Sequence, residues 1–464
     1  MVMNNHYKSA LEIAGRIHQG ELTSVEVTEE LLRRIEKVDS RLKSFVTVTG
    51  EQALFAAEKA DKELSNGNVR SPLHGVPVAV KDLLDTAGIK TTYGMKIYDD
   101  HIPEKDSTVV RKLKSAGCII LGKLKLTEGA YARHHPDVEV PVNPWHEDCW
   151  TGVSSSGSGV ATAAGLCFAS IGSDTGGSIR FPSAVNGLVG IKPTWGRVSR
   201  SGAFPLAYTL DHMGPMTRSV RDGAAMLGVI AGRDEDDPTS SHLSVDDYLA
   251  AASGGIEGFT VGIDWDYCGN DVETEVYDGI KDAVGLLKEL GATIKDVQVP
   301  YADITKGWPV TCSVEAAHAH RDTYPSRKEE YGAIADLIEL GLNIPAAAYM
   351  AHELVRKSFK ANLAGIFKEV DLLVCPSMTS VAPARETSDG SSGEQDLAVT
   401  LKFTAPYDFS GSPTLSLPWG IGSKGVPLSI QLVARDFAES MLVKTGYTLE
   451  QAGGHFGHHP ETYS

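Results

Sequence analysis

The sequence predicts an α/β fold with a mixed β-sheet. Segments with the spacing of amphipathic helices alternate along the chain with short apolar runs that suit buried strands, and this alternation is typical of α/β proteins. The length of 464 residues would accommodate about three domains. No proline-rich linker, repeat or low-complexity block divides the chain, so we expect one large domain over residues 1–464.

Helices and strands are predicted in a regular order. Thr23 and Glu26 have the spacing of a capping box, which places a helix start directly before residue 24. Helical spacing predicts helices over residues 9–18, 24–38, 52–65, 107–116 and 272–290. Apolar runs predict strands over residues 76–80, 118–121, 260–264 and 371–374. The small apolar run from Gly159 to Gly172 is too short to cross a bilayer, and we expect a core helix there.

The turn GSDTGGSIR, residues 172–180, carries a serine beside two glycines. Gly176 and Gly177 have no Cβ, so the backbone can adopt positive φ and a ligand can approach consecutive N–H groups beside the hydroxyl of Ser178. An oxyanion hole next to a nucleophile is built in this way. We therefore expect the N–H groups around Thr175, Gly176 and Gly177 to hold an oxyanion.

A serine nucleophile needs a base, and no histidine lies within this unit. The upstream loop offers four hydroxyls that could pass a proton, those of Ser154, Ser155, Ser156 and Ser158. Lys81 ends the predicted strand VPVAV, where it can be desolvated. Its reference pKa is about 10.4, so burial must lower the pKa by about two to three before lysine can act as a base. Asp82 would oppose that shift, but alternation along a strand sends neighbouring side chains to opposite faces.

These segments resemble the amidase signature family, which includes bacterial aliphatic and aryl amidases, fatty acid amide hydrolases and the amidase subunit of glutamyl-tRNA amidotransferase. In that family the serine of GGS[IV]R is the nucleophile, a serine 24 residues earlier holds a cis peptide bond and relays protons, and a lysine in a VKD segment is the base. The resemblance assigns these roles to Ser178, Ser154 and Lys81. It implies an amide hydrolase that forms a serine acyl-enzyme, on a single sheet with helices on both faces.

The resemblance covers most of residues 5–235 and a patch near 403–435, with the signature core at about 70–235. It rests on HGVPVAVKD, KLKSAGCIILGKLKLTE, NPW, GLVGIKPTWGRVS and DHMGPMTRSVRD, and on FTAPYDFSGSPTLSLPWG. Two departures stand out. Val153 and Ser156 replace glycines of the family's GGSSGGS loop, and residues 129–142 replace a small, polar segment that contains asparagine. The second departure bears on the choice of substrate.

Bulky side chains just before the serine loop predict an aromatic pocket. Those expected to line or cover the entrance are Tyr131, His134, His135, Trp145 and Trp150, with Ser155 as a further substrate contact. Aromatic walls favour flat apolar substrates, so we expect anilides, aryl esters or aryl carbamates rather than glutamine and short aliphatic amides. The alternative is that these residues pack in the core or contact a partner subunit. The polar residues 384–396 are predicted to form a surface loop that borders the site.

Other interpretations of the same motifs are weaker. Glycine–serine loops before helices also bind phosphates or cap the helix. Ser40 and Lys43 form SxxK and residues 444–446 form KTG, two signatures of penicillin-recognising enzymes. We expect SxxK to fall just past the helix over 24–38, and KTG to lie in a helix rather than on an edge strand. The histidines form neither HExxH nor a pair with CxxC, so we expect no metal and no cofactor.

Composition limits the partners. A net charge of −17 argues against direct binding to nucleic acid or to an anionic membrane. The six cysteines lack the spacing of a disulfide framework and the N-terminus has no apolar signal, so we expect reduced thiols and a cytoplasmic location. The expected partner is a small-molecule amide, and a homodimer is left open. The main alternative function is a glutamine-hydrolysing subunit of a tRNA-dependent amidotransferase.

Overall fold

The computed structural model describes residues 5–385 and 397–463. The strands in this part of the chain are β1 Phe45–Val48, β2 Pro77–Lys81, β3 Ile119–Leu124, β4 Ala169–Asp174, β5 Val189–Lys192, β6 His212–Thr217, β7 Thr260–Ile263, β8 Thr293–Asp296, β9 Leu372–Pro376, β10 Thr414–Ile421 and β11 Pro427–Ala434. These eleven strands join into one sheet, in the order β1-β3-β2-β4-β6-β5-β10-β11-β9-β7-β8.

Helices flank this sheet. They are α1 Ala10–His18, α2 Ser24–Leu42, α3 Gly50–Ser65, α4 Thr108–Ser115, α5 Ser156–Ala163, α6 Arg180–Asn186, α7 Val220–Ile230, α8 Tyr248–Ala251, α9 Trp265–Gly269, α10 Thr274–Glu289, α11 Ile304–Ala319, α12 Ile334–Leu342, α13 Ala346–Ile366, α14 Leu397–Leu401, α15 Ala405–Ser410 and α16 Glu439–Gly453. The predicted α/β class with a mixed sheet is confirmed.

The direction of the strands brings two chain segments together at one edge of the sheet. β2 runs parallel to both β3 and β4, so the ends of β2 and β4, at Lys81 and Asp174, lie at the same edge. β6 is antiparallel to β4 and therefore begins there, with His212 opposite Asp174. Further along the sheet, β11 is antiparallel to both β10 and β9. β7 is parallel to both β9 and β8.

Several predicted elements are confirmed. Thr23 caps α2 by accepting from the N–H of Glu26 at 3.1 Å, while the Glu26 carboxylate accepts from the N–H of Thr23 at 2.8 Å. The strand predicted over 76–80 is confirmed as β2, shifted by one residue to Pro77–Lys81, and all five residues of β2 are buried. The segment with KTG lies inside α16, as its spacing predicts.

Two element predictions are wrong. The run from Gly159 to Gly172 is not one helix, because α5 ends at Ala163 and β4 begins at Ala169. Gly165 lies between them with a φ of 67°, a conformation that glycine adopts without strain and that ends the helix. The helix predicted over 24–38 continues to Leu42, so Ser40 lies in its last turn rather than past its end.

The predicted loop over 384–396 lies almost wholly outside the described residues. All six cysteines are buried free thiols. Within the described ranges, no single helix is long and apolar enough to cross a membrane. Only α12 and α13 together meet that length and composition, as a pair bent by 105°.

Candidate active site

Lys81 ends β2 as a fully buried side chain. Its Nζ donates to three hydroxyl oxygens, those of Ser154 at 2.6 Å, Ser173 at 2.8 Å and Ser155 at 2.9 Å. A neutral amine has only two protons and one lone pair, so in that form one of the three contacts must run from a hydroxyl to nitrogen. The Ser155 hydroxyl donates to the carbonyl of Ser173 at 3.2 Å, which leaves the hydroxyls of Ser154 and Ser173 as possible donors to Lys81.

Burial lowers the pKa of Lys81 to about 7. Loss of solvation is the main cause, and the charges of Asp174 and Asp211 oppose it. Asp82 does not contribute to this pKa shift, because its carboxylate lies 3.3 Å from Nζ of Lys123 and accepts a hydrogen bond from the hydroxyl of Thr92. Asp82 lies just past the end of β2, and its contacts with Lys123 and Thr92 separate it from the amine of Lys81. The neutral amine is therefore populated near pH 7.

The serine loop leads from the cavity wall into α5. A cis peptide bond joins Val153 to Ser154, and Val153 is not among the described residues with positive φ. A backbone outside the left-handed region does not strain a branched side chain, so valine fits at this position, where the family pattern has glycine. Ser154 and Ser155 are fully buried. The structure thus places Ser155 beneath the cavity, against Lys81, rather than on the wall that a substrate would touch.

The glycine turn after β4 is shaped by one carboxylate. Asp174 Oδ1 accepts from the N–H of Gly177 at 2.7 Å, and Oδ2 accepts from the N–H of Ile179 at 3.0 Å. These bonds bend the backbone so that Ser178, which is 9% exposed, lines the cavity. In the described part of the chain, its hydroxyl makes no hydrogen bond. Gly177 has a φ of 131°, which requires glycine.

Arg180 clamps this turn to the second half of the chain. Its guanidinium donates to Asp174 through Nε at 3.0 Å and Nη2 at 2.8 Å, and to Asp408 of α15 at 2.6 Å. All three side chains are fully buried. Burial alone would raise the pKa of Asp174, but the charge of Arg180 outweighs burial and holds that pKa well below its usual range. Asp174 and Arg180 brace the turn through these contacts.

A second buried cation lies beside this clamp. Lys192 donates to the carbonyl of Ser412 at 2.7 Å and lies 3.2 Å from Nε2 of His212. Burial lowers the pKa of Lys192 to about 8 and the pKa of His212 well below its usual value. Nδ1 of His212 is 3.6 Å from Asp408 Oδ1. Burial raises the pKa of Asp408 and outweighs the opposing charge of Arg180.

A cavity of about 550 Å³ opens at the glycine turn. The aromatic side chains in its wall include Trp150 and Phe181, whose ring centroids are 5.8 Å apart. The residues that line it are Ala130, Tyr131, Ala132, Arg133, Trp150, Val153, Thr175, Gly176, Ser178, Phe181, Leu206, Trp308, Pro383, Ala384, Leu397, Thr400 and Leu401. Apolar side chains predominate, as in small-molecule sites generally.

The structure separates the residues predicted for the entrance. Tyr131 and Trp150 line the cavity, whereas His134, His135 and Trp145 do not. His134 is buried and its Nε2 lies 2.9 Å from Oγ of Ser156. The two departures from the family pattern therefore contact each other, because His134 belongs to the altered segment and Ser156 to the altered loop.

The other two side chains also face elsewhere. Nδ1 of His135 accepts from the N–H of Asp137 at 3.1 Å. Trp145 donates its indole N–H to the carbonyl of Asn186 at 3.0 Å. These three side chains are therefore held by contacts away from the cavity wall.

Sequence reasoning missed the contribution of the second half of the chain. Trp308 of α11 and Leu401 of α14 line the cavity, and Asp408 of α15 holds Arg180. Asp408 lies within FTAPYDFSGSP, and the resemblance of that segment to the family is the one signal that could have led to this residue. Trp308 belongs to no sequence motif. Its place in the cavity wall becomes apparent only from the packing of α11 against the turn.

A serine on a glycine turn, at the wall of a largely apolar cavity in an α/β domain, is an arrangement typical of hydrolases. The family model described as Amidase matches residues 26–443. The chain belongs to this family, and it is an amidase that acts on C–N bonds.

Relatives and solved structures agree on the family. The chain is 45% identical to the Mycobacterium tuberculosis protein named "Putative amidase AmiD" over 97% of this chain and 95% of the relative. It is 36% identical to a glutamyl-tRNA(Gln) amidotransferase subunit of Geobacter sp. strain M21, over 95% and 96%. A bacterial aryl acylamidase of the amidase signature family superposes with a TM-score of 0.87 at 25% identity, covering 99% of this chain and 98% of that one.

Proposed function

We propose that this amidase hydrolyses carboxylic amides through an acyl-enzyme on Ser178, with Ser154 as proton relay and Lys81 as base. The observation that carries the proposal is the 2.6 Å contact between Nζ of Lys81 and Oγ of Ser154. It joins a buried amine whose pKa is near 7 to the serine loop beside the cavity. A base with a pKa near the working pH combines a populated neutral form with effective proton transfer.

The proposed reaction moves protons along this line of groups. As Ser178 Oγ attacks the carbonyl carbon, its proton passes to Ser154 Oγ while the proton of Ser154 passes to neutral Lys81. The tetrahedral intermediate then collapses, the C–N bond breaks, and the leaving nitrogen receives a proton from Ser154, which Lys81 replaces. Water attacks the acyl-enzyme by the same route, so that a carboxylic acid leaves and Ser178 is restored.

Backbone N–H groups of the turn are proposed to hold the oxyanion of the intermediate. The expected donors are Thr175, Gly176 and Gly177, but the N–H of Gly177 already donates to Asp174 at 2.7 Å. Within the described residues, the N–H groups of Thr175, Gly176 and Ser178 make no hydrogen bond. We therefore propose Gly176 and Ser178, with Thr175, as the donors, while Gly177 keeps the turn in shape. Preorganised donors of this kind are the largest single source of rate in acyl transfer.

The cavity supports an aryl or otherwise apolar substrate. Trp150, Phe181 and Trp308 supply aromatic surface close to Ser178, and Leu206 and Leu401 complete an apolar wall. Stacking on such rings adds about 0.5–1.5 kcal/mol per ring pair beyond the burial of area. We propose anilides as preferred amides. The same apparatus would also cleave aryl esters and aryl carbamates. Buried free thiols support a reducing, cytoplasmic setting for this reaction.

The second candidate is a glutamine-hydrolysing subunit of a tRNA-dependent amidotransferase. The 36% identity to the amidotransferase relative from Geobacter favours it. Selection of glutamine calls for polar groups that recognise both its amino and its carboxyl end. Arg133 supplies one cation in the cavity wall, but no carboxylate lines the cavity among the described residues, and most of the wall is apolar. We therefore propose a free-standing amidase as the better account.

A substrate panel with the purified chain alone tests the proposal. The panel contains para-nitroacetanilide, benzamide, hexanamide, glutamine, phenyl acetate and para-nitrophenyl dimethylcarbamate. Turnover of the anilide without a partner protein is the expected result. Hydrolysis of glutamine and of no other amide in the panel, or no hydrolysis of any amide, would overturn the proposed activity.

A further inference from the structure

Two side chains from the second half of the chain hold the carbonyl groups of the glycine turn. The indole N–H of Trp308, in α11, donates to the carbonyl oxygen of Thr175 at 2.8 Å. The hydroxyl of Thr404, directly before α15, donates to the carbonyl oxygen of Gly176 at 2.6 Å. Both contacts are buried, and neither belongs to the proposed proton relay.

Holding a carbonyl also fixes the N–H of the following residue. The peptide unit is planar and trans, so its C=O and N–H point in opposite directions. The peptide from Gly176 to Gly177 shows this relation, since its C=O accepts from Thr404 and its N–H donates to Asp174 at 2.7 Å. By the same geometry, the bond from Trp308 to Thr175 turns the N–H of Gly176 away from the indole. That N–H belongs to a residue of the cavity wall.

The ring of Trp308 packs directly against the Thr175–Gly176 peptide. A Cβ added to Gly176 would lie 2.7 Å from Cζ2 and 3.0 Å from Nε1 of Trp308. Contacts below 3.0 Å are essentially never formed by a real Cβ. Trp308 is only 4% exposed, which limits its freedom to leave this position. Glycine at 176 thus allows both the close approach of the indole and the hydrogen bond to the preceding carbonyl.

We propose that Trp308 is a positioning residue for the oxyanion site, because its indole N–H holds the Thr175–Gly176 peptide with the N–H of Gly176 toward the reacting carbonyl. The inference rests on the proposed acyl-enzyme chemistry of Ser178. Thr404 does the same for the next peptide, whose N–H supports the turn through Asp174. The competing account is that Trp308 is only part of the apolar wall. The two accounts predict different values of kcat when the indole N–H of Trp308 is removed.

The test replaces Trp308 with β-(3-benzothienyl)alanine, which keeps the shape of the ring and lacks the N–H. Trp308→Phe is the genetically encoded second variant, and Trp145→Phe is the matched control because the indole N–H of Trp145 also donates to a backbone carbonyl, that of Asn186 at 3.0 Å, and Trp145 does not line the cavity. The readouts are kcat and KM for the panel amide that the wild type hydrolyses fastest, and Kd for phenylboronic acid, which forms a tetrahedral adduct with a serine nucleophile. Thermal unfolding confirms that each variant is folded.

The positioning role predicts a loss of kcat of about 10- to 100-fold in both Trp308 variants, below the 100- to 1000-fold loss typical of deleting an oxyanion donor itself. KM stays within about threefold, and phenylboronic acid binds more weakly by the same factor as kcat falls. Trp145→Phe leaves kcat, KM and the affinity for phenylboronic acid within about threefold of the wild-type values. A benzothienyl variant with the kcat and boronate affinity of the wild type would overturn the positioning role.

Ser178→Ala separates this inference from the function on which it depends. Full activity in Ser178→Ala would overturn the proposed acyl-enzyme itself. An inactive Ser178→Ala beside an unimpaired benzothienyl variant would leave the acyl-enzyme standing and overturn only the role of Trp308. If Trp308→Phe fails to fold, the benzothienyl variant still decides the question, because it preserves the packing on Gly176.

Discussion

Nζ of Lys81 lies 2.6 Å from Oγ of Ser154, at the end of a strand where both side chains are fully buried. An amine in this position is held in place by hydroxyl groups and not by a carboxylate, because Asp174 and Asp211 act on it only through their charge. Burial can therefore lower its pKa far enough for the neutral form to be populated. The catalytic proposal depends on this relationship.

The activity should follow the ionisation of Lys81. The pKa of about 7 is below the ordinary value, so the amine is protonated and unable to accept a proton at lower pH. We expect kcat/KM to fall about tenfold per pH unit well below 7 and to level off above 8. Lys81→Met should remove the activity. Since kcat/KM is insensitive to product release, a flat profile from pH 6 to 9 would show that Lys81 is not the base.

Asp211 should set the midpoint of that profile. Its charge raises the pKa of Lys81, and its own pKa of about 6 leaves it mostly ionised above neutral pH. Asp211→Asn removes the charge and should move the midpoint of kcat/KM to lower pH. Asp137→Asn is the control, because Asp137 is exposed and paired with Lys96 at 2.6 Å. A midpoint that is unchanged, or moves upward, in Asp211→Asn would contradict the electrostatic account.

The sequence predicted local elements better than it predicted contacts between distant segments. β2 and the capped start of α2 follow from residues that are neighbours in the chain, and both are confirmed. The helix expected over 159–172 failed because small apolar residues suit a buried strand as well as a buried helix, and only Gly165 marks the break. His134 was expected at the entrance, but its partner is Ser156, which no local pattern could reveal. Trp308 reaches Thr175 across 133 residues of sequence, a distance at which periodicity carries no information.

Removal of Arg180 should destabilise the fold strongly. Arg180→Met leaves the carboxylate of Asp174 buried without its guanidinium partner and removes the contact with Asp408. Breaking a buried ion pair by removing one partner costs about 3–5 kcal/mol in the free energy of unfolding, which urea denaturation measures. Arg33→Met removes an exposed pair with Glu29 and should cost less than about 1 kcal/mol. Similar losses for both variants would contradict a structural role for the clamp.

The aromatic cavity should select its substrate. We expect kcat/KM for an acyl anilide to exceed that for the matching primary amide, because the additional ring packs against Trp150 and Phe181. Trp150→Ala should raise KM for the anilide and reduce this preference. His135→Ala is the control, since His135 does not line the cavity, and it should retain the preference. Equal kcat/KM values for anilide and primary amide would argue against an aryl pocket and leave the serine mechanism untouched.

The most direct test is to identify the residue that carries the acyl group. para-Nitrophenyl dimethylcarbamate should transfer its carbamoyl group to the enzyme, and mass spectrometry of the digested protein should locate the added mass on Ser178. Ser183→Ala is the control, because its buried hydroxyl has no hydrogen-bond partner among the described residues, and it should be labelled and active like the wild type. We predict that Ser178→Ala folds, takes no label and keeps less than about one per cent of the activity. Label on a different residue, or substantial turnover by Ser178→Ala, would contradict the account.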